Sequence, residues 1–141
     1  VIVDACYAGG FADKTIFNLP TLPPYRSHVP QDGRVVISST SKFRTGIAIL
    51  DFGPLFSNLW FEGLKTQNAD GFRSGILQTG RLPRILFKDG QVSAEEAFYY
   101  ARYMLRSVQS LSEFRTMQPQ INDQYPSKGS IQNNAGLILG K

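Results

Sequence analysis

The chain opens on VIVDACYAGG, and no other stretch constrains its fold as much. Residues 1–5 form a short apolar run broken once, by Asp4, which reads as a buried strand; Gly9-Gly10 then marks a turn. Cys6 stands where the strand gives way to the turn, and it is the only cysteine in 141 residues. A single cysteine excludes an intrachain disulfide framework and a multi-cysteine metal site. Free cysteines mostly pack as small apolar residues. Here, however, Asp4 and Cys6 are two positions apart on a strand, so both side chains leave the same face. The glycines free the backbone to turn sharply and leave the thiol uncovered. A carboxylate beside a thiol disfavours the thiolate. Asp4 is therefore expected to serve another group, such as a cationic group of a substrate.

The rest of the chain alternates strands and helices. Residues 34–41, RVVISSTS, read as a second strand: a β-branched run after Asp32-Gly33 that turns hydroxyl-rich. Residues 47–52 suggest a third, shorter strand. Pro54 opens a helix in which Leu55, Phe56, Leu59, Trp60, Gly63 and Leu64 recur at helical spacing. Residues 68–88 are loop-rich, with RILF as a short extended piece. Ser93 followed three residues later by Glu96 is a capping box, and Ala97, Ala101, Met104, Leu105 and Val108 continue as one apolar stripe. Residues 21–32, rich in proline, and 118–134, polar, read as loops, and residues 135–139 as a last strand. This order predicts an α/β fold in which residues 1–5 and 34–39 pair in parallel. Sites in such sheets form beyond the carboxyl ends of the strands, where Cys6 and Ser38 to Ser41 lie.

Composition narrows the partners. With 42% hydrophobic and 12% aromatic residues, the chain is globular and no larger than one domain. No apolar run approaches the roughly 20 residues needed to span a bilayer, so no membrane partner is expected. The net charge of +4 comes from 15 basic and 11 acidic residues. Lys42, Arg44, Arg81, Arg84 and Lys88 fall in polar, glycine-bearing stretches without a dense basic run or interleaved stacking aromatics. They read as solvated loop cations, and nucleic acid is not expected as a partner. The first residue already lies inside an apolar run, so the natural N-terminus is expected upstream.

Asp4-Ala5-Cys6-Tyr7-Ala8-Gly9-Gly10 resembles the nucleophile strand of caspase-like cysteine peptidases, the clan of caspases, metacaspases, legumains, clostripain and gingipains. RVVISSTS resembles the family's next strand, FGPLFSNLWFEGL the helix after it, and DGQVSAEEAFYYA a later helix. QPQINDQYP and AGLILG resemble the closing loop and strand of prokaryotic members. The resemblance implies a caspase-like three-layer sandwich, with a mostly parallel sheet, flanking helices and the N-terminal strands missing; residues 1–141 would be one partial domain. It implies a cysteine endopeptidase with Cys6 as nucleophile and no cofactor in the chemistry. Its partners would be a polypeptide substrate and an upstream part of the same domain carrying the catalytic His-Gly. Asp4 would line the first specificity pocket and favour Arg or Lys before the cleaved bond, with Ser39, Thr40 and Ser41 in the same pocket. By the family pattern His28, the only histidine, is not the base. Asp51 is a further candidate acid or a turn residue. No calcium loop of the D-x-D-x-D-G type occurs. The alternatives are a non-catalytic caspase-like scaffold or regulatory domain and, from another class, a basic nucleic-acid-binding α/β domain.

Overall fold

The computed structural model describes residues 1–12, 32–73, 84–126 and 136–140. In chain order these form β1 (Ile2–Val3), a 3-10 segment (Ala8–Ala12), β2 (Val35–Ser38), β3 (Ala48–Ile49), β4 (Gly53–Pro54) and α1 (Leu55–Lys65). Then follow β5 (Val92–Ser93), α2 (Ala94–Ser107), a second 3-10 segment (Gln109–Met117), β6 (Gln120–Asp123) and β7 (Ile138–Gly140). His28 and Arg81 lie outside the described residues, as does most of the proline-rich loop.

The central sheet runs β1-β2-β6. β1 pairs in parallel with β2, Ile2 opposite Ile37 and Val3 opposite Ser38, as the two apolar runs predict. β2 pairs antiparallel with β6, Val35 opposite Asp123 and Ser38 opposite Gln120. Two antiparallel ribbons, β3-β4 and β5-β7, complete the described pairings. The fold is thus mixed α/β with small mixed sheets: among the described residues one pairing is parallel and three are antiparallel.

β2 reads as a continuous apolar run because all four of its residues are buried, as expected of a strand covered on both faces. Val35 and Ile37, with Ile121 of β6, pack against both helices. α1 contributes Leu55, Phe56, Leu59 and Trp60, and α2 contributes Ala97, Phe98, Ala101 and Leu105. The helices meet through Phe56 and Phe98, ring centroids 6.1 Å apart, and through two polar ties. The Trp60 indole donates to the Ala94 carbonyl at 3.3 Å, and the Tyr100 hydroxyl to Glu62 at 2.9 Å. Gly63 permits the close crossing: a Cβ there would stand 2.6 Å from the Tyr100 ring. The 3-10 segment Ala8–Ala12 also packs against β2, burying Ala8 and Ala12.

The capping box forms as read. The Ser93 hydroxyl accepts the Glu96 amide at 3.1 Å, and the Glu96 carboxylate accepts the Ser93 amide at 2.8 Å. Three expectations need correction. Residues 118–134 are not all loop: Gln120–Asp123 is a strand, held by its ladder to β2, in which Ile121 faces the helices between the buried polar residues Gln120 and Asn122. Residues 47–52 are not one strand; a turn at residues 50–52 splits the stretch into the β3-β4 hairpin, with Asp51 at φ 68°. RILF is not an extended piece: Arg84 and Ile85 are helical and Leu86 and Phe87 form a turn, in which the Phe87 amide bonds back to the Arg84 carbonyl at 3.1 Å. Helix α1 begins at Leu55, one residue after the expected start, with Pro54 in extended conformation as its N-cap.

Candidate active site around Cys6

The thiol sits just past the carboxyl end of β1, and Cys6 is exposed. What holds it there is a turn fastened at several points. The Thr40 hydroxyl donates to the Ala5 carbonyl at 2.9 Å and accepts the Ala8 amide at 3.0 Å, so one side chain clamps the backbone on both sides of Cys6-Tyr7. Tyr7 turns the chain in the left-handed region, at φ 60°, and its amide donates to the Arg44 carbonyl at 2.7 Å. Non-glycine residues rarely adopt that conformation, and it persists where surrounding bonds over-determine it.

The glycines act differently from their sequence reading. The reversal of direction falls on Tyr7, while Gly9 is required for packing. A Cβ on Gly9 would stand 2.4 Å from the Lys42 amide nitrogen and 2.7 Å from Ser41. Gly10 has nothing within 4 Å of the same position. Gly46 completes the thiol's surroundings. Its amide donates to the Cys6 sulfur at 3.3 Å, and its carbonyl lies 3.9 Å from the same sulfur, within the reach of a weak S–H donor.

Asp4 leaves β1 toward α1. One carboxylate oxygen, Oδ2, accepts both the Ser57 amide at 3.0 Å and the Ser57 hydroxyl at 2.7 Å. Ser57 is the third residue of α1, so its amide is one of the four without an intrahelical partner. Pro54 offers no side-chain cap, and Asp4 supplies the missing acceptor from 53 residues away, with its negative charge at the helix's positive end. The other oxygen, Oδ1, makes no hydrogen bond among the described residues, and the residue is only half-buried.

The hydroxyl-rich end of β2 is packed rather than open. Ser39, Thr40 and Ser41 are all fully buried. Thr40 is engaged in the turn clamp, and the Ser41 hydroxyl donates to the Gln118 side chain at 3.0 Å. The Ser39 hydroxyl is buried without a hydrogen-bond partner among the described residues. The sequence places all three with Asp4 in one pocket; in the structure Thr40 bonds to the turn that carries the thiol and Ser41 to Gln118. Asp51 stands exposed in the hairpin turn, and that is the role it fills. Sequence reasoning missed Gly46, Arg44 and Ser57 as neighbours of the site. Each reaches it across 37 residues or more, Gly46 and Arg44 through backbone groups alone and Ser57 through its amide and hydroxyl, and contacts at that separation leave no local mark in the sequence.

Among the described residues no three His, Cys, Asp or Glu side chains come together as a metal site, and no helix is long and apolar enough to cross a membrane. Comparison with protein-family models, with curated proteins and with solved structures finds no match for this chain.

Proposed function

We propose that this chain is the nucleophile-bearing part of a caspase-like cysteine endopeptidase. The observation that carries the reading is the exposed thiol at the carboxyl end of a strand paired in parallel, on a turn that Thr40 and Arg44 hold from both sides. A nucleophile must be presented to substrate on a rigid support, because loss of near-attack geometry costs rate steeply. The site offers that presentation without covering the sulfur.

In this reading the Cys6 thiolate attacks the scissile carbonyl and forms a tetrahedral intermediate. Its collapse expels the amine and leaves a thioester, which water hydrolyses to the acid product and the free thiol. The general acid that protonates the leaving amine is a histidine upstream of Val1, followed by a glycine whose amide joins that of Cys6 as an oxyanion donor. Such donors contribute about 3–4 kcal/mol each in well-studied cases. Asp4 is assigned to the substrate's basic side chain. Ser57 fixes Oδ2, which holds the carboxylate in one orientation and leaves Oδ1 for a guanidinium or ammonium group.

The test is a pair of rates. Asp4→Asn, in the protein carrying its upstream strands, is expected to lower kcat/KM on arginyl peptides a hundredfold or more, about 2.8 kcal/mol. Alkylation of Cys6 by a small neutral reagent should stay nearly unchanged. Equal losses on arginyl and neutral substrates would show that Asp4 only supports the strand, ending the basic preference while leaving the peptidase reading in place.

A further inference from the structure

Arg102 and Arg106 lie four residues apart on α2. At that spacing two side chains rise from one helix face with Cβ atoms about 5–6 Å apart. Tyr99 and Glu95 continue the same stripe toward the helix start. Glu95 is already engaged: both its oxygens accept the Leu137 amide, at 3.2 and 3.0 Å. Neither guanidinium makes a hydrogen bond or ion pair to a described residue, and the Nε of Arg102 is buried with no partner among the described residues. Burial holds both arginines below their ordinary pKa, and the Arg106 charge lowers Arg102 further while the Tyr99 phenol acts the other way. Arg106, in the last turn, sits where the helix dipole favours a cation. That accounts for Arg106 and leaves Arg102, a turn earlier, unexplained.

We propose that Arg102 and Arg106 together bind a phosphate group, as inorganic phosphate or a phosphate monoester. Two cations on one face repel each other, and the buried Nε of Arg102 has lost its hydration, so an anion shared between them restores both losses. A guanidinium presents Nε–H and Nη–H side by side, and this edge matches two oxygens of one phosphate. A phosphate dianion balances both charges, whereas a carboxylate balances one. The site is independent of Cys6 and of the peptidase reading.

The test follows the arginine Nε–H signals of the full chain by 1H–15N NMR at pH 7.5 and constant ionic strength, titrated with inorganic phosphate, with glycerol 3-phosphate and with acetate. The Arg102 Nε–H resonance should move saturably with a phosphate-bearing probe. Arg106→Gln, at an exposed position, should weaken that response tenfold or more while the remaining spectrum stays that of the folded chain. Arg102→Lys, which keeps the charge but loses the fork, should weaken phosphate binding to a similar extent, read from the other stripe resonances. A stronger response to the monoester assigns the phosphate to a larger ligand, and a stronger response to inorganic phosphate to the free ion; both support the site. A shift that never saturates, an equal response in Arg106→Gln, or acetate acting as strongly as phosphate would overturn it.

Discussion

The Thr40 hydroxyl bonds to the backbone on both sides of the thiol, and the hydroxyl of its neighbour Ser39 has no partner among the described residues. The two adjacent hydroxyls are equally buried, so they form a controlled comparison. Thr40→Val keeps the shape and removes the hydroxyl, leaving the buried Ala8 amide without an acceptor. The expected loss is about 1–3 kcal/mol of stability by urea unfolding. It should also change the rate of Cys6 alkylation, since the turn that presents the sulfur loosens. Ser39→Ala removes an unsatisfied polar atom and should be neutral or slightly stabilising. The reverse order of the two effects would mean that Thr40 does not hold the turn. At this scale the sequence showed which residues gather at the strand ends and not what they do there. A hydroxyl that clamps backbone and one that lines a pocket have the same local signature. Likewise the left-handed turn fell on Tyr7 beside two glycines better suited to it by conformational freedom alone.

The two helices begin in contrasting ways. α2 carries its own cap, Ser93 with Glu96, within four residues, and that was legible because every partner is local. α1 has none and takes its acceptor from Asp4 on β1. Nothing in residues 54–57 marks that bond, because its other half is 53 positions away. β6 escaped notice for a related reason: its sequence QIND is polar, and only the ladder to β2 makes it a strand. The Asp4 cap separates two roles experimentally. Ser57→Ala removes one donor to Asp4 and should cost about 1 kcal/mol of stability. Its effect on kcat/KM for arginyl peptides should fall well short of that of Asp4→Asn. A matching hundredfold loss would show that capping alone accounts for Asp4. The start of α2 carries a pH dependence. Burial raises the pKa of Glu95 and of Glu96 above the usual carboxylate value, Asp123 adding to the first and Asp89 to the second, and their hydrogen bonds only partly oppose this. In the window between the unfolded and the raised folded pKa, the folded state binds more protons than the unfolded state. Stability contributed by these groups is therefore present at low pH and is lost as pH rises through the folded values. Unfolding free energy, followed upward from about pH 4.5, the ordinary carboxylate range, should fall with a slope that shrinks in Glu95→Gln. An unchanged slope in that variant would remove Glu95 from the account.

At the scale of the molecule, the parallel pairing of residues 1–5 with residues 34–39 was legible because two β-branched or apolar runs were joined by a connection too long for a hairpin. The burial of β2 on both faces followed from the same run. The small ribbons β3-β4 and β5-β7 were not legible, since pairs of two or three residues leave no periodicity to read. β1 has β2 on one side and no strand on the other among the described residues, with Val1 57% and Ile2 40% exposed. That open edge, bearing Cys6 just past its end, is where the peptidase reading places the strand that carries the histidine. The measurement that tests this reading most directly is intact-mass analysis after exposure to an arginyl acyloxymethyl ketone, beside its uncharged analogue. It uses the protein extended upstream of Val1 through that strand. The account expects a single adduct on Cys6 from the arginyl reagent, formed at least a hundredfold faster than with the analogue and absent in Cys6→Ala. No adduct on Cys6, or labelling that survives Cys6→Ala, would contradict it and leave the caspase-like scaffold as the better description of the chain.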